Sequence, residues 1–581
     1  MRHELDTFTI RYALERTVKR HGRRVAMTLI GDEESTLTFN ELKRKADAMA
    51  SFLIENEIKA GEKIAIFGES QPMWTVAYLA VVSAGCIAVP ILPDFSLREV
   101  STILEHSGAK TAIVSARVFE KVAEFSHVSS NMLIRMEDLF FIPDTIATSL
   151  TTIEDFRNAP GRDITKTKIN SKGIQERTLG EDDLVSIIYT SGTTGASKGV
   201  MLTNRNLTNN ASSLVKQFFK IKTGMRFLSI LPLSHSYEFT LGFLLPLITG
   251  AEIHFLGRAP AASILLPAMK RVRPHVMLSV PLLIEKIYRS SVVPQIANNP
   301  RLSELYKKPF FRILINRMVG RKLKLTFGGR LKFFGVGGAA LDRDTEKFLK
   351  EAKFPYAIGY GLTETSPMLA GSGPKQTKPG TVGYVVKGVS LRIDNADPVT
   401  HVGEIVAKGP NIMLGYYKNE ALTKESFTED GWFKTGDLGI IERRRLSIKG
   451  RSKTMILGPG GENIYPELIE TVINNLPYVQ ESLVLEDEGG LAAMIKLDFE
   501  LMAENLKVSV HDAKESAITY LSNLREEVNQ ELSVSSRIRD VSLQDEPFQR
   551  TPTMKIKRYL YSIKQSFSHQ KSDEEDEKQE K

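Results

Sequence analysis

KIAIFGESQPMWTVAYLAVVSAGCIAVPI, residues 63–91, sets one short apolar run, IAIFG, before a helical pattern and a second apolar run, IAVPI. Pro72 sits where a first helical residue belongs and Gly85 where a helix has just ended, so the punctuation agrees with the periodicity. The next pattern, LREVSTILEHSG, leads to TAIVS by residue 115, which makes a β/α alternation. The alternation resumes after Leu184 through LVSIIY, FLSIL, HVMLS and LKFFGV, each expected to be followed by a helix. Such alternation predicts an α/β fold of parallel sheets covered by helices. Within it, residues 76–92 are apolar but fall short of the roughly 20 needed to span a bilayer, and Gly85 and Pro90 interrupt them. A buried helix running into a buried strand is predicted, with Cys86 as an inert buried side chain.

Outward from that stretch, 581 residues exceed what one core can organise, because single cores stop growing near roughly 250 to 300 residues. After residue 380, TVGYVV, SLRI, GEIVAKG and RRLSIKG are short, alternating and turn-bounded, as in a small antiparallel barrel or meander. From Arg451 the texture is that of a small α+β domain, with a helix from Pro466, strands at SLVLE and AAMIKL, a charged helix near 511–532 and a strand near Val541. The expected division is a large domain over 1–450 with the barrel from about 380, a small domain over 451–565, and a charged, disordered tail over 566–581.

A lone cysteine excludes an internal disulfide framework and fits a reducing cytoplasm, so any thiol chemistry requires an outside thiol. Residues 1–27 lack the apolar core of a secretory signal and instead carry Arg11, Glu15, Arg16, Lys19 and Arg20 at helical spacing. A net charge of +8 is compatible with nucleic acid, an anionic membrane or a polyanionic small molecule, and charge alone does not choose among them.

The strongest local chemical signal is YTSGTTGASKGV, residues 189–200, directly after an apolar strand. Gly192, Gly195 and Gly199 let backbone amides approach an anion, Thr190, Ser191, Thr193 and Thr194 offer hydroxyls, and Lys198 adds positive charge. The common nucleotide loop GxxxxGK[ST] does not fit this spacing, which disfavours a P-loop kinase or ATPase.

YTSGTTG followed by KG resembles the signature of the adenylate-forming (AMP-binding) superfamily. The likeness continues at GYGLTETSP (359–367), GEIVAKGPNIMLGYYKN (403–419), WFKTGDLG (432–439), KGRSKT (449–454) and PTMKIKR (552–558). Six motifs in family order make coincidence untenable. The resemblance implies that Tyr360 stacks on adenine, Thr363 touches phosphate, Gly361 lies at the nucleotide, and Glu364 with Thr190 attends magnesium. A hard cation with few carboxylates and substrate phosphates agrees with that last role. It also implies that Asp437 accepts the ribose hydroxyls, Arg451 contacts the nucleotide, Lys453 marks a hinge, and Lys555 reaches the reacting phosphate together with Lys198. Two departures stand out: Met554 precedes Lys555 where the family usually has glycine, and Ser197 replaces a common proline.

LPLSHSYEF (231–239), VPLLIEKIY (280–288), GGRLKFFGVGGAAL (328–341) and GENIYPELIE (461–470) look like the long-chain fatty acid:CoA ligase branch. That implies an ATP- and Mg2+-dependent acid–thiol ligase with coenzyme A as co-substrate. His235 would then lie near the acyl pocket, or else cap the following helix, and Gly337, Gly338 and Ala339 would wall the acyl chain from adenine. An acyl carrier protein is the rival acceptor, and a non-catalytic acyl- or nucleotide-binding scaffold is the rival of another class. Neither HIGH nor KMSKS occurs, so a nucleic-acid partner is not expected. Finally, YKKPFFRILINRMVGRKLKL (306–325) mixes Phe310, Phe311, Ile313, Leu314 and Met318 with basic residues. It reads either as a helix covering the core with a basic outer face or as peripheral contact between a cytoplasmic protein and an anionic membrane.

Overall fold

The structure, a computed structural model, describes residues 5–31, 35–126, 131–177, 179–190, 197–258, 260–457, 463–487, 490–533, 536–551 and 556–561. The expected tail at 566–581, residues 191–196 of the glycine-rich loop, and Lys555 lie outside the described residues.

Two nine-stranded mixed sheets form the large part of the molecule. In one, the strands Lys63–Phe67, Ile87–Ile91, Thr111–Val114, Met132–Arg135 and Leu184–Thr190 run parallel. In the other, Val25–Leu29, Glu252–Phe255, Arg226–Ser229, Val276–Ser279, Phe333–Val336 and Tyr356–Gly361 do so. The helix Pro72–Ser83 begins on its proline, buries every residue but Met73, and is followed by Gly85 at φ 76°, a left-handed conformation that costs glycine little. It belongs to an apolar core shared with residues of both sheets, among them Val200 and Ile253, and with Phe243 of the helical segment Glu238–Leu244. The helix Leu97–Ser107 opens on a capping box between Ser96 and Glu99, which satisfies backbone donors that would otherwise be orphaned.

LVSIIY departs from the expected strand-then-helix order. Leu184–Thr190 turns back on itself, pairing antiparallel with Lys198–Thr203, and the helix Asn204–Gln217 begins only after that return strand. The seven residues between the strands are too few for a parallel crossover, which takes a dozen or more. The glycine-rich loop therefore joins two hydrogen-bonded neighbours.

After residue 380 the antiparallel expectation takes the form of a four-stranded sheet in the order Ser390–Asp394, Gly403–Lys408, Phe433–Glu442, Arg445–Arg451. TVGYVV does not join it. Tyr384–Val385 instead edges one of the large sheets, tied to the small one by the bridge between Gly383 and Leu446. Beyond Arg451, Val479–Asp487, Gly490–Leu497 and Ile538–Leu543 form a three-stranded sheet. Helices Pro466–Ile473 and Ala517–Glu531 cover it around a core of its own, with Ile473, Ile495 and Leu524 inside. Arg289 of the large part donates to the Val479 carbonyl at 3.2 Å, one polar contact between the two.

Candidate active site

The return of the hairpin sets Lys198 opposite Thr190 at the mouth of the glycine-rich loop. On the outer side of that hairpin, the strand Gly415–Tyr416 pairs with Val200 and Met201. This pairing lays the Tyr416 ring beneath Lys198, whose Nζ is 5.5 Å from the ring centroid. The Tyr416 hydroxyl in turn donates to Glu364 Oε1 at 2.8 Å, and the carboxylate and burial together hold that phenol well above its ordinary pKa. Lys198, Tyr416 and Glu364, separated by up to 218 positions in the chain, thus form one chain of contacts. Glu364 sits in the tight turn Thr363–Thr365, anchored where its carbonyl accepts the Met413 amide at 2.9 Å. Thr363 accepts from the Ser236 hydroxyl at 3.4 Å. The turn needs Gly361 before it, because a Cβ there would stand 1.7 Å from the Pro367 carbonyl oxygen.

Asp437 is buried, and both of its oxygens are engaged: Oδ2 accepts from the Tyr360 hydroxyl at 2.8 Å and Oδ1 lies 3.1 Å from Arg451 Nε. Asp437 and Arg451 face each other as register partners on adjacent antiparallel strands. Burial and the Asp437 charge raise the Tyr360 phenol far above its usual value, so it remains a donor at neutral pH. Lys453 is exposed on the turn just past Arg451, where Ser452 is held by the Gly436 carbonyl and Thr454 donates to Glu467 at 2.6 Å.

A third feature adjoins these two. An apolar cavity of about 50 Å3 is walled by Leu241, Leu245, Leu278, Phe333, Gly335 and Met368, with Tyr237 and Gly359 also at its surface. The strands Phe333–Val336 and Tyr356–Gly361 that wall it carry Gly337 and the turn of Glu364 just past their ends. Gly337 is buried against the Tyr237 ring, which a Cβ would meet at 3.2 Å, whereas Gly338 and Ala339 are exposed. His235 makes a capping contact: its Nδ1 accepts the Tyr237 amide at 3.2 Å at the head of the helical segment Glu238–Leu244.

The sequence model of AMP-binding enzymes matches residues 14–417, more than half of the chain. The chain belongs to the AMP-binding enzyme family. It is 29% identical to a long-chain-fatty-acid–CoA ligase of Mycobacterium bovis, over 92% of each chain. It is 27% identical to a chloroplastic long-chain-fatty-acid–[acyl-carrier-protein] ligase of Arabidopsis thaliana, over 94% of this chain and 84% of that one. Its fold is that of O-succinylbenzoate coenzyme A synthetase from Bacillus subtilis, solved with ATP and magnesium, at a TM-score of 0.70 and 23% identity over 94% and 98% of the two chains.

In this AMP-binding enzyme the structure brings together sequence-predicted Lys198 and Glu364 through Tyr416, and Tyr360, Asp437 and Arg451 with one another, beside an apolar cavity. Ser191, Gly192, Thr193, Thr194, Gly195 and Lys555 lie outside the described residues. Tyr416 and Tyr237 are absent from the sequence-level site, although both fall within motifs quoted there, GYYKN and LPLSHSYEF. Alignment of motifs marks such positions as family-like, but only the packing shows which phenol meets which partner.

Proposed function

We propose that this protein activates a long-chain fatty acid with ATP and passes the acyl group to coenzyme A. The observation that carries this reading is the apolar cavity whose walls continue directly into the polar turn of Glu364. A carboxylate lying at that junction with its alkyl chain in the cavity attacks the α-phosphorus of ATP. The bond to the β-phosphate oxygen breaks, pyrophosphate leaves and an acyl-adenylate remains. In the second half, the coenzyme A sulfur attacks the acyl carbon and AMP leaves with the electron pair of the broken C–O bond, while the thiol proton passes to solvent. Lys198 and Lys555 supply positive charge as the two anions meet. Asp437 takes the ribose hydroxyls, assisted by Arg451, and Tyr360 lies against the adenine.

The donor set fits a magnesium ion shared with substrate. Among the described residues no three His, Cys, Asp or Glu side chains gather as a metal site, and Glu364 offers one hard oxygen ligand held in place by Tyr416. Magnesium bound there neutralises phosphate oxygens. Thr190 stands at the loop mouth as a second oxygen donor.

The cavity as it stands is far smaller than a long acyl chain, so its aromatic and leucine walls open as the chain enters. Residues 1–450 form the catalytic body and 451–565 a lid that turns about Lys453 between the two half-reactions, carrying Lys555 in and out. The reaction belongs in the cytoplasm, with the fatty acid arriving by peripheral contact with an anionic membrane. A second reading, transfer to an acyl carrier protein, is favoured by the plant relative. One experiment tests both: pyrophosphate release over acids of increasing length, with coenzyme A or acyl carrier protein as acceptor. Chains of about twelve to eighteen carbons are expected to be preferred, since each buried CH2 contributes roughly 0.8 kcal/mol. Preference for acetate or an amino acid would sink the proposal.

A further inference from the structure

The helix Pro309–Thr326 turns apolar and polar side chains alike toward the body of the protein. Leu323 is buried in the apolar core and Val319 packs against it, while Arg312 and Asn316 bind the Glu351 carboxylate at 2.9 and 2.8 Å, and Tyr306 donates to Asn316 at 3.0 Å. Gly320 lies so close to the neighbouring helix that a Cβ would stand 2.4 Å from the Ala352 carbonyl oxygen. These contacts leave no room for the helix to roll. A second apolar stripe faces outward: Phe310 is 74% exposed, Leu314 49%, Met318 62% and Leu325 70%. Spacings of four, four and seven residues put all four on one line along the helix.

Basic residues flank that line. Arg317, Arg321 and Lys322 are exposed on the same side, with Lys307 and Lys308 just before the helix. From residue 305 to 341 the chain holds nine lysines and arginines and no aspartate or glutamate. A helix that only covers a core has a polar outer side; this one covers a core through Leu323 and Val319 and carries a further apolar line outward. We propose that the outer face of Pro309–Thr326 is a docking surface for an anionic lipid bilayer. Both halves of the face have a counterpart there: anionic headgroups meet the arginines and lysines, and the acyl boundary takes Phe310, Leu314, Met318 and Leu325. A second copy of this chain would set the same lysines and arginines against each other, like charge against like. A nucleic acid would leave the apolar line in water.

The surface is tested with the full-length chain and no acid or ATP present, so that failure of the ligase reading does not affect the result. Co-sedimentation with vesicles of phosphatidylcholine is compared with vesicles also containing phosphatidylglycerol. The protein is expected to partition at least about tenfold better onto the anionic vesicles, and less as salt is raised. Phe310→Ser with Met318→Ser, and separately Arg317→Glu with Arg321→Glu and Lys322→Glu, are each expected to reduce partition by about tenfold or more with unchanged thermal melting. These side chains point into solvent, so folding does not depend on them. Equal partition onto both vesicle types, undiminished binding by either variant, or concentration-dependent dimerisation abolished by the serine variant would each overturn the proposal.

Discussion

Glu364 and Tyr416 answer different questions about the same contact. If Glu364 holds magnesium as proposed, Glu364→Gln replaces a hard, charged oxygen donor with a neutral amide, and pyrophosphate release should fall by about two to three powers of ten while the fold is kept. Tyr416→Phe retains the ring under Lys198 but removes the hydroxyl that orients the carboxylate. Its cost should be milder, roughly ten- to a hundredfold, and should appear mainly as a raised magnesium requirement. Magnesium titrations of both variants check this, and unchanged turnover of Glu364→Gln at limiting magnesium would contradict the assignment. Cys86 makes the opposite case. Burial pushes its thiol up to about 12, so at neutral pH almost none is thiolate. A thiol-specific reagent should label the native protein at least roughly a thousandfold more slowly than the unfolded chain and leave activity intact. Labelling at equal rates would show the side chain to be accessible.

At the scale of elements, the helical segment Glu238–Leu244 is wound with i to i+5 hydrogen bonds and is buried throughout. It carries Glu238 into the interior, where one carboxyl oxygen meets no donor among the described residues and burial pushes the pKa to about 8. The folded protein therefore keeps this proton over a range in which the unfolded chain has released it. The resulting stabilisation is complete below pH 4.5 and is lost progressively as pH rises toward 8, by up to roughly 4 kcal/mol. Glu238→Gln, always neutral, should flatten that slope. Urea unfolding of both proteins across this interval provides the measurement, and parallel pH profiles would show that Glu238 is not the group responsible. The neighbouring turn is just as particular: Gly361 is the residue whose missing side chain lets the chain pass Pro367 and present Glu364.

For the molecule as a whole, the small C-terminal part has its own sheet and core and reaches the rest through a short turn at residues 452–454 and polar contacts such as Arg289 to Val479. If the lid turns, the two lysines fail differently. Lys555→Ala should lower acyl-adenylate formation by roughly two to four powers of ten, the scale of losing one transition-state stabiliser, and leave thioester formation from supplied acyl-adenylate largely intact. Lys453→Pro, by fixing φ at the turning point, should impair thioester formation more than adenylation. Equal losses in both half-reactions of both variants would refute the rotating lid.

The sequence by itself determined what depends on neighbours along the chain. Pro72, the capping pair Ser96 and Glu99, and Gly85 punctuate the β/α alternation because each acts within a single turn of backbone. The glycine and hydroxyl content of residues 189–200 is likewise local, and the anion-binding role proposed for it rests on that content. Tertiary structure decided the rest. Tyr416 reaches Lys198 only because its short strand joins the edge of a hairpin more than two hundred residues upstream, a pairing that no periodicity encodes. LVSIIY reads alike before a helix or before a return strand, since its apolar run reports burial and not direction. The stripe on Pro309–Thr326 is visible as a period, but a period does not say which side meets the protein. That was settled by Glu351, which takes Arg312 and Asn316, by the Ala352 carbonyl, which leaves room for no Cβ at Gly320, and by the core that receives Leu323.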